Sequence, residues 1–247
     1  MRVEQYLLES ATQFGKKAAI VDAGREHSYA DLARSADRVA AALVAHGIKR
    51  GDRVAIFMDD TFEAIVSAFA VLKSGAVASP VEATSDAETL GLILSRTGAV
   101  ALITQSRLGM VAASAMIQAR SVRLVLLCGG DRSTANENCL VFEEIVGGLG
   151  AGPQIARPGP ASDPALVIHS VSAEGVAEAA TFTHAEVIAA TEGERPAPTL
   201  ASVLSQYGLA QLLAAIRAGA TLVLETRSAF RGPRIADDAD LVPVLSG

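Results

Sequence analysis

Cysteine is almost absent from this chain, with only Cys128 and Cys139 among 247 residues. Two thiols eleven positions apart cannot supply a zinc site, so the expectation is one core cysteine and one loop cysteine in a reducing cytoplasm. Positive charge is also scarce. Against 27 acidic residues stand 21 lysines and arginines, for a net charge of −6 and a pI near 5.3. That balance leaves no broad basic face for nucleic acid. Long apolar runs are missing as well: Ala64 to Leu72 is too short to cross a bilayer, and Met1-Arg2-Val3-Glu4-Gln5 does not open a signal peptide. No internal repeat or low-complexity tract stands out. Half of the residues are hydrophobic, enough for a substantial core. The expectation is a soluble, cytoplasmic protein with no membrane span.

Helix signals alternate with β-rich runs. Ser28 precedes Tyr29-Ala30-Asp31-Leu32, with apolar residues at Leu32, Val39, Ala40 and Leu43 before Gly47 stops the helix. Asp60 with Glu63, and Ser85 with Glu88, suggest two further capped starts, ending at Gly75 and near Gly98. Between them lie the strand candidates 18–22, 53–58, 76–79, 99–104 and 122–127. This order predicts an α/β layered fold with a largely parallel sheet. Residues 129–139 are turn-rich, and 142–146 suit a short helix. The Gly- and Pro-dense stretch 147–164 reads as a linker. The expected division is therefore a first lobe over 1–146, the linker, and a second lobe over 165–247 with a charged tail. The second lobe holds a strand at 165–169, a helix capped by Thr183 with Glu186, a helix at 209–218 stopped by Gly219, and a strand at 221–225.

The residues after the strand at 165–169 carry the most chemistry. Ser170 to Phe182 run through a small-residue loop to the helix start at Thr183. Such a loop can wrap polyphosphate with backbone N–H groups. It holds two carboxylates, Glu174 and Glu178, and no Lys or Arg.

Several segments, in order, resemble the adenylate-forming superfamily of acyl- and aryl-CoA synthetases, luciferases and peptide-synthetase adenylation domains. His27-Ser28-Tyr29-Ala30-Asp31-Leu32 is similar to the family's "TYxEL" segment, and Gly47 to Ala55 to its "GVxKGDRVA" run. Leu72 to Val81 resembles "LKAGAxxxPLxP"; Tyr207-Gly208-Leu209 and Ala218 to Leu224 resemble "(F/Y)GL…AGAxLVL". The resemblance covers about residues 3 to 227. It implies the fold of the first part of the large N-terminal domain of acyl-CoA synthetases.

It also implies that the loop descends from the family's phosphate loop, (Y/H)(T/S)SG(T/S)TGxPKG. His169, Ser170 and Gly175 fit that pattern, as do Thr183 and His184 beyond it. Ser172 stands for its first glycine, Glu174 for a hydroxyl, Ala177 for the proline, Glu178 for the lysine and Ala179 for the last glycine. A family histidine near the acyl pocket falls at Ser205 or Gln206, so Ser205, Gln206, Tyr207 and Gly208 are candidates for a remnant acyl pocket. The family's later segments, which contact adenine, ribose and magnesium, and its small C-terminal domain lie beyond about residue 230 and are expected to be missing. A carboxylate about 5 Å from a phosphate, at an effective dielectric near 20, costs on the order of 3 kcal/mol. The loop as written repels ATP, so no ATP or magnesium cofactor is expected.

Blander readings apply to the other candidates. Glu174 and Glu178 read as a solvated loop rather than an acid–base or metal pair. His169 is expected to be satisfied where its strand ends, and His184 to be structural beside a helix cap. Asp60 of Asp59-Asp60 reads as an N-cap rather than a metal ligand. Three functions follow, in this order. The first is a catalytically inactive relative of acyl-CoA synthetases that binds a partner protein, a carrier protein or an acyl ligand. The second is one subunit of a split ligase that adenylates a carboxylic acid with ATP. The third is a gene remnant. Self-association or partner contact is expected through 200–247, because the strand at 221–225 would leave an edge open unless the tail covers it.

Overall fold

The computed structural model describes residues 1–148, 159–171, 177–192, 206–224 and 234–235. The chain opens on α1 (Val3–Phe14), whose buried Val3, Tyr6, Leu7 and Ser10 form one helical stripe. β1 (Ala18–Asp22) and β2 (Arg25–Ser28) follow as a hairpin, turned by Ala23 and Gly24, both at positive φ. In α2 (Tyr29–Ala45), the Ser28 hydroxyl accepts from the Asp31 N–H at 3.1 Å, and the Ser28 N–H donates to the Asp31 carboxylate at 3.1 Å. Gly47, at φ +81, ends that helix, as its position predicts.

Strand and helix then alternate: β3 (Arg53–Met58), α3 (Phe62–Lys73), β4 (Val77–Glu82), α4 (Ala87–Thr97), β5 (Ala101–Gln105), α5 (Gly109–Gln118) and β6 (Leu124–Cys128). Two caps sit one residue later than the sequence suggests. Thr61, not Asp60, caps α3 through its hydroxyl to the Ala64 N–H, and Asp86, not Ser85, caps α4 through the Thr89 N–H. Where two capping residues adjoin, the cap is the one with extended backbone whose side chain reaches the N3 amide. Cys139 opens a short strand, β7 (Cys139–Val141), rather than lying in a loop, while Cys128 is buried as expected. After α6 (Phe142–Gly147) come β8 (Pro164–Val171), β9 (Ala177–Thr183), α7 (His184–Glu192), α8 (Gln206–Arg217), β10 (Leu222–Leu224) and β11 (Arg234–Ile235).

Two sheets result. The larger has the order β7-β6-β5-β3-β4-β8-β9, parallel except for the antiparallel β9; the smaller has the order β11-β10-β1-β2, with β10 parallel to β1. The α/β class with a largely parallel sheet therefore holds. The segments on either side of the expected linker share both sheets, since β8 pairs with β4 and β10 with β1. Residues 149–158 of that linker, and the apolar cluster at 241–245, lie outside the described residues. β10 meets β11 on the side away from β1, so the edge expected to be open is paired at Leu222 and Val223.

α3 is buried along its whole length except for Glu63. Its apolar surface joins one core with α1, α2, α7, α8, the smaller sheet and one face of the larger, where Val54, Ile56 and Met58 point. Ala55 and Phe57 alternate to the other face and pack with Leu90 and Leu94 of α4 and Ala112 and Ala115 of α5. The buried Lys73 ammonium ends α3 in an ion pair with Asp37.

Gly219 sets the turn from α8 into β10. It lies at φ +66, and a Cβ there would come within 2.6 Å of the Phe14 ring. Gly219→Ala is expected to cost about 2 kcal/mol or more from backbone strain and overpacking together, read as a lowered urea midpoint. A substitution that leaves the midpoint unchanged would show that the turn and Phe14 yield freely.

Candidate functional site

In an open parallel sheet the ligand end is the carboxyl end of the strands, at the point where neighbouring connections leave to opposite faces. Here β3 leads into α3 on one face and β5 leads towards α5 on the other. Asp59 follows β3, its N–H donating to the Gln105 side chain at 3.2 Å, and its carboxylate forms an ion pair with Arg107. Asp59 is thus tied to an arginine at this junction, and the neighbouring Asp60 precedes the Thr61 cap.

The expected phosphate loop lies at the same end, two strands away. It is the tip of the β8–β9 hairpin rather than a loop running straight into a helix. The ladder continues to Ser170↔Glu178 and Val171↔Ala177, leaving 172–176 between the strands. Ser172, Glu174 and Gly175 lie outside the described residues, as does Ser205. Ser170 and Glu178 face each other near the end of the ladder, so Glu178 belongs to a strand and not to the loop. β4, which neighbours β8, ends on the exposed Glu82. Gln206, Tyr207 and Gly208 form the first turn of α8, with Gly208 buried.

The hairpin is held firmly at its foot. His169 of β8 and Ser79 of β4 bond through Nε2 and Oγ at 2.8 Å, so this histidine is satisfied in place. Burial holds its pKa below the ordinary histidine value. Just before β8, the Asp163 carboxylate accepts from Arg2 at 2.9 Å and from Arg50 at 2.7 Å, and its backbone carbonyl accepts from the His184 N–H at 3.0 Å. The Arg50 and Arg2 guanidiniums hold the Asp163 carboxyl below the usual carboxylate range. Arg2 itself is 4% exposed and also binds Glu4 at 2.6 Å. Thr183 and Glu186 cap α7 as the sequence predicts, the Thr183 N–H donating to the carboxylate at 2.8 Å.

Charge is unevenly spread along the strand axis. Asp59, Glu63, Glu82, Asp86, Glu143 and Glu144 lie at or just beyond the carboxyl ends of the strands, with Arg107 and Arg132. Lys49, Arg50, Arg53, Arg96, Arg120 and Arg123 lie at the amino ends, with Asp52 and Asp163 paired among them. Part of this pattern is the ordinary complement to helix dipoles, acids in first turns and bases in last turns. β8 ends and β9 begins at this same end. A shallow hollow of about 440 Å³ beyond β6 and β7 is also acidic, lined by Glu143 and Glu144 with Gly130, Val141, Gly147 and Gly148.

The larger sheet, with helices on both faces, is the α/β architecture of the N-terminal domain of acyl-CoA synthetase-like proteins. The anthranilate CoA ligase AuaEII, solved with anthranoyl-AMP, superposes with a TM-score of 0.81 at 19% identity, over 93% of this chain and 46% of that one. MbtA of Mycobacterium smegmatis gives a TM-score of 0.78 at 27% identity, over 90% and 43%. In sequence, the chain is 33% identical over 234 residues to phosphinothricin tripeptide synthetase PhsC of Streptomyces viridochromogenes, covering 90% of this chain and 20% of that protein. Residues 7–240 match the model of the AMP-binding enzyme family, and the chain belongs to that family. It spans a fifth of the peptide synthetase and under half of either structure. Among the described residues, no helix is long and apolar enough to cross a membrane.

His184, fully buried at the start of α7, accepts from the Val3 N–H at 3.3 Å through Nδ1. Burial, with Arg2 nearby, lowers its pKa from 6.5 to about 4, although Asp163 pulls the other way. Below pH 6.5 the unfolded chain takes up a proton that the folded chain refuses, so stability falls as pH drops from 6.5 towards 4. The slope from this one group is at most about 1.4 kcal/mol per pH unit. Urea midpoints across that range should show the fall, and His184→Gln should flatten it. An unchanged slope in the variant would assign the acid sensitivity to other groups.

Proposed function

We propose that this chain is a non-catalytic member of the AMP-binding family, acting by binding a partner protein, a carrier protein or an acyl ligand rather than by forming an adenylate. One observation carries the reading: the segment that should grip phosphate bears Glu174 between the two strands and Glu178 at the start of β9, and no Lys or Arg. The geometry supports it. Glu178 is paired opposite Ser170 at the mouth of the hairpin, and Glu82 closes the adjacent strand. A third carboxylate therefore lies on the side from which a polyphosphate would approach.

A phosphate loop works through free N–H donors reinforced by a nearby positive charge. Each carboxylate in contact range opposes binding by on the order of 3 kcal/mol before screening. Two of them outweigh what a few backbone amides contribute. The firm hairpin foot does not alter this balance. Arg2–Asp163 and Ser79–His169 orient the strands and leave the charge at the tip unchanged. On this reading the domain needs neither ATP nor magnesium.

Isothermal calorimetry with millimolar ATP should give no binding heat, and pyrophosphate exchange over a panel of carboxylic acids should stay at background. Glu174→Thr combined with Glu178→Lys should raise ATP affinity at least about tenfold, the equivalent of about 1.4 kcal/mol. Acid-dependent exchange by the unaltered chain would overturn the proposal in favour of an active adenylating ligase.

A further inference from the structure

We propose that the outward face of α5 is a docking surface for an acidic, apolar-faced helix of a partner protein. α5 carries no charged residue along its length. Its inner side packs through Ala112 and Ala115 against α4, whose Gly91 lets the two helices approach closely: a Cβ there would lie 3.3 Å from the Ala115 carbonyl oxygen. Its outer side leaves Met110 85% exposed and Ile117 77% exposed. These two lie seven residues apart on one helix face, about 10 Å along the axis. The exposed Ala113 and Ser114 sit between them. Two large side chains flanking a small-residue saddle form a ridge-and-groove surface suited to a crossing helix.

The surrounding charge selects the kind of helix. Along α5 and its flanks, Ser106 to Arg123, the chain has no Asp, Glu or Lys, and its charged residues are Arg107, Arg120 and Arg123. The neighbouring α4 carries the exposed Glu88 in its first turn and Arg96, itself partnered, in its last. Arg107 is matched by Asp59, and Arg123 by Asp52 and the Gly47 carbonyl. Arg120 follows α5 directly and is exposed. Arg96 sits beside the same end, because the Ser95 hydroxyl donates to the Gln118 carbonyl at 3.2 Å. Met and Arg without Lys, Asp or Glu is the composition of a protein interface. The planar guanidinium fork suits carboxylates.

Other occupants fit less well. Two copies crossing antiparallel at α5 would set the Arg120 end of each against the Arg107 end of the other. A lipid surface would find neither aromatic nor lysine anchors between Ser106 and Arg123. The site lies on a different part of the sheet from the phosphate loop, with β3 and β4 between β5 and β8.

The test is an NMR titration of the full chain with a stapled helical peptide bearing leucines on one face and glutamates flanking it. A lysine version of the peptide and vesicles containing phosphatidylserine serve as the other arms. The glutamate peptide should shift α5 amides and bind at least tenfold tighter than the lysine peptide. Met110→Glu, Ile117→Glu and Arg120→Glu should each weaken it at least tenfold, with an unchanged circular dichroism spectrum. No shift at α5, equal affinity for the lysine peptide, or binding of the vesicles in preference to the peptide would overturn the proposal.

Discussion

The constraint on which the rest of the structure depends is the burial of α3 on nearly every side. Phe62, Ile65, Val66, Phe69, Val71 and Leu72 are all buried, each stabilising the fold by about 1.5–3 kcal/mol relative to exposure. A helix apolar all round needs cover all round. One face of the larger sheet and the smaller sheet supply it, together with α1, α2, α7 and α8. This explains why the smaller sheet takes strands from both ends of the chain: β1 and β10 must meet over the same helix. It also explains why the Gly- and Pro-rich stretch does not divide the molecule. The stretch separates segments in sequence that a shared core brings together.

That core fixes where the chemistry can sit. With α3 and α5 on opposite faces, the carboxyl ends of the strands form the open end, and β8 ends and β9 begins there. The acidic residues at that end suit helix N-termini, which they cap and complement. The same arrangement suits a bound polyphosphate only where local cations compensate. Arg107, placed there beside Asp59, is paired with it. Stability and phosphate binding thus make opposite electrostatic demands on one surface.

Much of the fold was legible because it depends on local signals. The Ser28–Asp31 and Thr183–Glu186 caps, the strands 18–22 and 53–58, and the stops at Gly47, Gly98 and Gly219 are each written within a few residues. What escaped depends on distant partners. β9 is alanine-rich and shows no firm alternation; it is a strand because β8 lies beside it. α1 carries a helical stripe, but its N-cap is Arg2 rather than a usual capping residue, which hides its start. Arg2 is legible only from the structure, as a cation buried between Glu4 and Asp163. At the candidate site the charges of Glu174 and Glu178 were legible from sequence alone. The hairpin that carries them, and Glu82 on the neighbouring strand, were not.

The scaffold and the site therefore answer different questions. Every interaction that steadies the hairpin — His169 with Ser79, Asp163 with Arg2 and Arg50, His184 with Val3 — also closes a buried polar group or a charge inside the fold. Losing the bond of Ser79, Arg2 or His184 leaves a buried group unpaired, at a cost of about 1–3 kcal/mol or more, whereas the exposed Arg50 contributes less. Such contacts are held in place by stability alone, whatever the loop binds. Their presence says nothing for adenylation, and only the residues at the tip bear on it. A phosphate loop needs positive charge and open N–H groups, and the sequence from 172 to 178 holds Glu174 and Glu178 and no Lys or Arg.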